Sequence, residues 1–244
     1  MSKEVMKASS KEVAKNEAEN LEEWGEVSID SSDIVIPKLI LMQGQSTFVT
    51  DGIASFGDVV ETPSKQVVLQ ASKGGVIELI PFHHTAVWSK YKVTNGKQEF
   101  IGYEDVVKGV DKEYEENHGS YMVKNMRTLN MFFINPKAPE LPVVISFKGI
   151  SQRTGKEIIT QMYIKNRQAG KTPASYVLSL GAVKQKNDKG TFYVWEFKVS
   201  RQSTGDEVGL CLKWLKSIKT TPSAFKVDTT TEEETQAETV QTNF

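Results

Sequence analysis

The stretch Val76-Ile77-Glu78-Leu79-Ile80-Pro81-Phe82-His83-His84-Thr85-Ala86-Val87-Trp88-Ser89-Lys90-Tyr91-Lys92-Val93 decides the fold class. It is rich in β-branched and aromatic residues, which fit a pleated, half-buried surface. Asn95-Gly96 follows it, a dipeptide that tolerates the left-handed backbone of a tight hairpin turn, and Gln98-Glu99-Phe100-Ile101-Gly102-Tyr103 then returns. A long strand, a two-residue turn and a second strand point to an antiparallel β protein.

The same signals recur outward from this hairpin. Val67-Val68-Leu69, Met126 to Ile134 and Pro142 to Phe147 read as strands, as do Val177 to Lys184 and Thr191 to Val199. Ile34 to Met42 is apolar on both faces, so it is a buried strand or a short helix after Pro37. Residues 104–119 are charged and read as a surface helix or loop. Helices are expected over 155–167, where Ile158, Ile159, Met162 and Tyr163 share a side, and over 205–219, where Val208, Leu212 and Leu215 do. Roughly seven or eight strands with two or three helices, and no internal repeat, make the chain mainly β. The expected fold is an OB-like antiparallel β-barrel with extra strands and helices, flanked by disordered acidic tails.

Charge divides the 244 residues into three parts. Residues 1–30 carry about −4 and read as a charged, largely disordered tail; 31–226 carry about +8 and hold the OB-like, nucleic-acid-binding domain; 227–244 carry −5 and read as a disordered acidic tail. A basic body between acidic ends calls for an anionic partner. No apolar run approaches the roughly 18 residues that span a bilayer. The first twenty residues lack the apolar core of a secretory signal. No membrane association and a cytoplasmic location are therefore expected.

Enzyme chemistry finds no foothold. Gly170-Lys171-Thr172 looks like part of a phosphate loop, but Lys165 stands where the pattern needs glycine and Pro173 blocks the following helix. His83 and His84 are adjacent on a strand and point to opposite faces, so they do not share one metal. The single cysteine, Cys211, lies between Leu210 and Leu212 and reads as a small buried hydrophobe. The expectation is a non-enzyme with no metal and no cofactor.

Binding chemistry is better represented. On a strand, His84, Ala86, Trp88, Lys90 and Lys92 share one face, which puts an aromatic ring beside two ammonium groups. A single-stranded nucleic acid uses such a ring for a base and such cations for phosphates. The other reading of that face is a half-buried strand whose Trp88 closes the barrel, with lysines reaching to water. A second cluster is Lys148, Arg153, Lys156, Lys165, Arg167 and Lys171, with Glu157 as the only acid among them, and Lys184 and Lys186 follow. It is either a solvated helix face or a phosphate track. Tyr193, Trp195 and Phe197 share a face expected to lie in the core.

Several segments resemble a known group. Ile36-Pro37-Lys38-Leu39-Ile40-Leu41-Met42-Gln43-Gly44-Gln45-Ser46, Gly57-Asp58, Pro81-Phe82 leading to Trp88, and Pro142 to Gly149 before a helix and an aromatic strand are similar to phage single-stranded DNA-binding proteins. The acidic end, with Glu232, Glu233, Glu234 and Glu238 before a terminal Phe244, resembles the C-terminal tips of T7-like phage and bacterial single-stranded DNA-binding proteins. The resemblance implies an OB barrel that coats single-stranded DNA in phage replication or recombination, in the cytoplasm of a bacterial host. It also implies a tail that recruits replication and recombination proteins. A monomer and a homodimer both fit. The alternative is a non-enzymatic phage structural or host-protein-interaction protein.

Overall fold

The structure is a computed structural model that describes residues 35–44, 46–95, 97–106, 113–188, 190–220 and 226–227. Apart from Val227, both expected tails, with Glu232, Glu233, Glu234, Glu238 and Phe244, lie outside the described residues.

Its spine is a long antiparallel pair. Strand β5 (Ile77–Thr94) pairs with β8 (Met122–Asn135) from Ile80↔Ile134 to Val93↔Met122. The register slips between Pro81 and His83, where proline has no N–H for the ladder. Asn95 at the following turn has φ 52°, the left-handed conformation that the Asn-Gly pair anticipated. Beyond Val87 the spine is flanked by β6 (Lys97–Asp105) on β5 and β7 (Tyr114–Asn117) on β8, giving a four-stranded arm. Within the charged segment 104–119, expected as a surface helix or loop, residues 104–105 and Tyr114–Asn117 are strand.

At its other end the spine belongs to a wider, curled half-barrel. The order there is β11 (Gly190–Gln202), β10 (Tyr176–Asn187), β5, β8, β9 (Ala138–Phe147), β2 (Lys38–Leu41), β3 (Val59–Thr62) and β4 (Gln66–Leu69). Most pairs are antiparallel, but β2 runs parallel to β9, and β1 (Val35–Ile36) parallel to β12 (Lys226–Val227). Among the described residues no ladder joins β11 to β2. The Gln43 side chain bridges them instead: Tyr193 N–H donates to Gln43 Oε1 at 3.1 Å, and Gln43 Nε2 donates to the Tyr193 carbonyl at 3.0 Å. A short helix, α1 (Thr47–Thr50), lies between β2 and β3.

The sheet has an apolar layer on each face, as alternation along β8 requires. Leu129, Met131 and Phe133 join Ile145, Phe147, Leu178 and Trp195 in one core. Phe132 and Ile134 join Ile80, Phe82 and Val177 in the other. Helix α2 covers the first face. It begins at Gln152–Ile158, continues as a π-helical stretch over Ile159–Lys165 and ends with Asn166–Gln168. Ile158 and Met162 are fully buried there, with Ile159 and Tyr163 packed at the margin. Helix α3 (Gly205–Thr220) covers the second face through Cys211 and Ile218. Trp195 and Phe197 pack in the first core as expected, while Tyr193 meets Phe56 edge-on at 4.8 Å.

Gly155 sets how closely α2 lies on the sheet. A Cβ added there would stand 2.9 Å from both Cβ and Cγ of Phe147, so only glycine lets the helix backbone approach β9 this closely.

Candidate nucleic-acid interface

Helix α2 runs beside the free edge of β11, and a groove of about 890 Å³ lies between them. Three contacts hold the helix start there. Gly155 packs on Phe147, Thr154 Oγ1 donates to the Trp195 carbonyl at 2.8 Å, and Gln152 Nε2 donates to the Arg127 carbonyl at 2.8 Å.

Arg153, Lys156 and Lys165 line the helix side of the groove, and Phe197, Lys198 and Val199 line the strand side. Ile150 and Val199 are 58% and 46% exposed, which gives the groove an apolar floor. A second hollow of about 600 Å³ adjoins it and adds Val183, Gln185 and Glu196 while sharing Ile150, Arg153 and Phe197. Arg153 pairs with Glu157 at 3.0 Å and Lys198 with Glu196 at 3.9 Å. Both are solvent-exposed ion pairs of the kind that holds its partners only weakly, so an incoming phosphate can displace them. Among the described residues Lys156 and Lys165 have no acidic partner. Four cations against two paired acids leave the groove net positive.

Arg153, Lys156 and Lys165 of the expected basic track thus come together. Arg167, two residues past Lys165, is exposed and does not line the groove. Lys171 is turned onto Tyr176, donating to its hydroxyl and lying over its ring at 4.7 Å from the centroid. Lys184 and Lys186 are exposed on β10, opposite Tyr193 and Thr191, and alternation puts them on the other face from Val183 and Gln185.

The strand face with His84, Trp88, Lys90 and Lys92 is not an open platform, which corrects the stacking reading. Trp88 is only 1% exposed and meets Tyr114 of β7 edge-on at 5.2 Å. Lys90 is held by Glu104 at 2.7 Å and Glu116 at 3.8 Å. Lys92 lies over the Tyr121 ring at 4.9 Å. His84 packs edge-on against Tyr163 at 4.4 Å beneath α2. The protein's own aromatics and acids fill the places the face seemed to offer to bases and phosphates. Tyr114 and Glu116, two residues apart, share one face of β7, which brings the ring to Trp88 and the carboxylate to Lys90.

Sequence reasoning missed Lys198, Ile150 and Val199. Lys198 sits within an aromatic strand, and its relevance depends on β11 being a sheet edge. Burial lowers the pKa of both His83 and His84, with His84 and Lys219 adding to the effect on His83. Burial pushes the Cys211 thiol up to about 12, which leaves it protonated and a poor nucleophile. Among the described residues no three His, Cys, Asp or Glu side chains gather as a metal site, and no helix is long and apolar enough to cross a membrane.

A family model described as Pam3 phage gp34-like protein matches residues 4–208 of the chain. The comparisons with curated proteins and with solved structures give no match.

Proposed function

We propose that this chain, which belongs to the Pam3 phage gp34-like protein family, binds single-stranded DNA without regard to sequence during phage replication or recombination. The observation that carries the reading is the groove between α2 and β11: Arg153, Lys156, Lys165 and Lys198 stand around an apolar floor of Ile150, Phe197 and Val199. The cations take phosphates and release counterions, and the floor takes the faces of unstacked bases. In this reading the half-barrel is an OB-type scaffold, the protein is not an enzyme, and the acidic tail recruits replication and recombination proteins.

The test is fluorescence anisotropy of labelled oligo-dT against the full chain. Four phosphate contacts on a single strand give a log–log salt slope of about −2.8, so affinity should fall roughly 50-fold between 50 and 200 mM salt. Micromolar or tighter binding at 50 mM with that dependence is the expected result. No binding at 50 mM overturns the proposal.

The exposed Ile150, Val183 and Val199 around the groove favour one second reading, a structural or host-protein-interaction role. It is distinguished by a stable protein partner in a pull-down and the absence of salt-sensitive DNA affinity.

A further inference from the structure

Backbone groups on the β11 edge give the groove a chemistry of its own. The β10–β11 ladder runs without a slip from Asn187↔Gly190 to Leu178↔Val199. In an antiparallel ladder, alternate residues point both N–H and C=O toward the partner and the residues between them point both away. Tyr193 is one of the outward set, since both of its groups bond to Gln43. Trp195, Phe197 and Val199 therefore point outward too. The Trp195 carbonyl is taken by Thr154. Among the described residues nothing is hydrogen-bonded to the N–H or C=O of Phe197, and that residue lines the groove opposite Lys156 and Lys165.

An extended residue presents its N–H and C=O side by side. Every nucleobase has a matching donor and acceptor side by side on its Watson–Crick edge: N3–H and O4 in thymine, N4–H and N3 in cytosine, N6–H and N1 in adenine, N1–H and O6 in guanine. In a duplex that edge is already paired; in a single strand it is free. We propose that the free edge of β11 at Phe197 hydrogen-bonds the Watson–Crick edge of an unpaired base, so that the groove accepts single strands of any sequence and rejects duplex. This rests on the single-stranded DNA reading above and adds how the strand is distinguished. The open edge is short, bounded by the Thr154 bond at Trp195 and by the register slip beyond Val199. A peptide adding a strand needs a run of such residues, whereas a base needs one.

The test compares the full chain's affinity for oligo-dT and for an oligonucleotide of N3-methyldeoxythymidine of equal length and salt. The methyl group removes the N3–H donor and leaves the phosphates in place. Affinity should fall about tenfold or more for the methylated strand. Phe197→Leu, which keeps the backbone amide, should retain that discrimination. Phe197→Pro removes an N–H that lies outside the β10 ladder, and should bind both strands alike. If oligo-dT binds and its methylated form binds equally well to the unmutated chain, the edge does not read bases and the inference fails. If oligo-dT does not bind at all, the single-strand reading fails, and this inference with it.

Discussion

Replacing Gly155 with alanine tests whether α2 is seated as described, and with it the groove. The new Cβ would lie 2.9 Å from Phe147 Cβ and Cγ and 3.2 Å from its Cδ2. Carbon atoms in contact prefer about 3.5 Å or more, so the two elements must separate by about 0.6 Å. Phe147 has 0% exposure within the central sheet and cannot yield. The helix must move instead, which strains the Thr154 bond to the Trp195 carbonyl. Overpacking of this kind costs about 1–3 kcal/mol. Alanine recovers about 1 kcal/mol of helix propensity over glycine. The expected net loss is about 0–2 kcal/mol by urea unfolding at unchanged m, with weaker oligo-dT binding. A Gly155→Ala variant more stable than the unmutated chain by about 1 kcal/mol would refute the close contact, since that is what an unobstructed helix gains from alanine.

Other outcomes follow from the same structure. Trp88→Ala should destabilise by about 3–5 kcal/mol in urea unfolding, because the ring is core. Trp88→Phe should cost far less, since the indole N–H is buried with no partner among the described residues; equal costs would contradict this packing. His83 and His84 have pKa values lowered by burial, so the unfolded chain binds more protons than the folded one below about pH 6.5. Melting temperature should therefore fall as pH goes from 7 to 5, and a His83→Gln/His84→Gln variant should show a smaller fall. Truncation after Lys226 removes five acids and takes the formal net charge from −1 to +4. Oligo-dT affinity should then rise, most clearly at 20–50 mM salt, because screening is weakest there. Unchanged affinity would assign the tail no part in DNA competition. Deleting Phe244 alone should leave DNA binding as it is.

What could be read from the sequence was local. The β5 hairpin was legible because the β-rich run ends at Asn95-Gly96, and α2 because Ile158, Ile159, Met162 and Tyr163 keep helical spacing. Arg153, Lys156 and Lys165 were legible as a track because Glu157 is the only acid among the cations from Lys148 to Lys171. At about 3.6 residues per turn Lys156 and Lys165 fall on opposite sides, and the π-helical stretch Ile159–Lys165 is what brings both to the groove. Trp88 was not legible, because its surroundings are set by a strand 26 residues away, at Tyr114. The strand there was hidden by its acidic composition. Lys198 and the open backbone of Phe197 were out of reach for a different reason. An edge strand and a central strand can share one composition, and only the order of the sheet makes β11 an edge.

The central claim is that single-stranded DNA occupies the groove between α2 and the β11 edge. Hydrogen–deuterium exchange of the full chain with and without saturating oligo-dT tests it most directly. The expected result is slowed exchange over 150–165 and at the Phe197 and Val199 amides, with the arm around Trp88 and Tyr114 unchanged. Protection confined to that arm, or none anywhere under conditions where the oligonucleotide is bound, would contradict it.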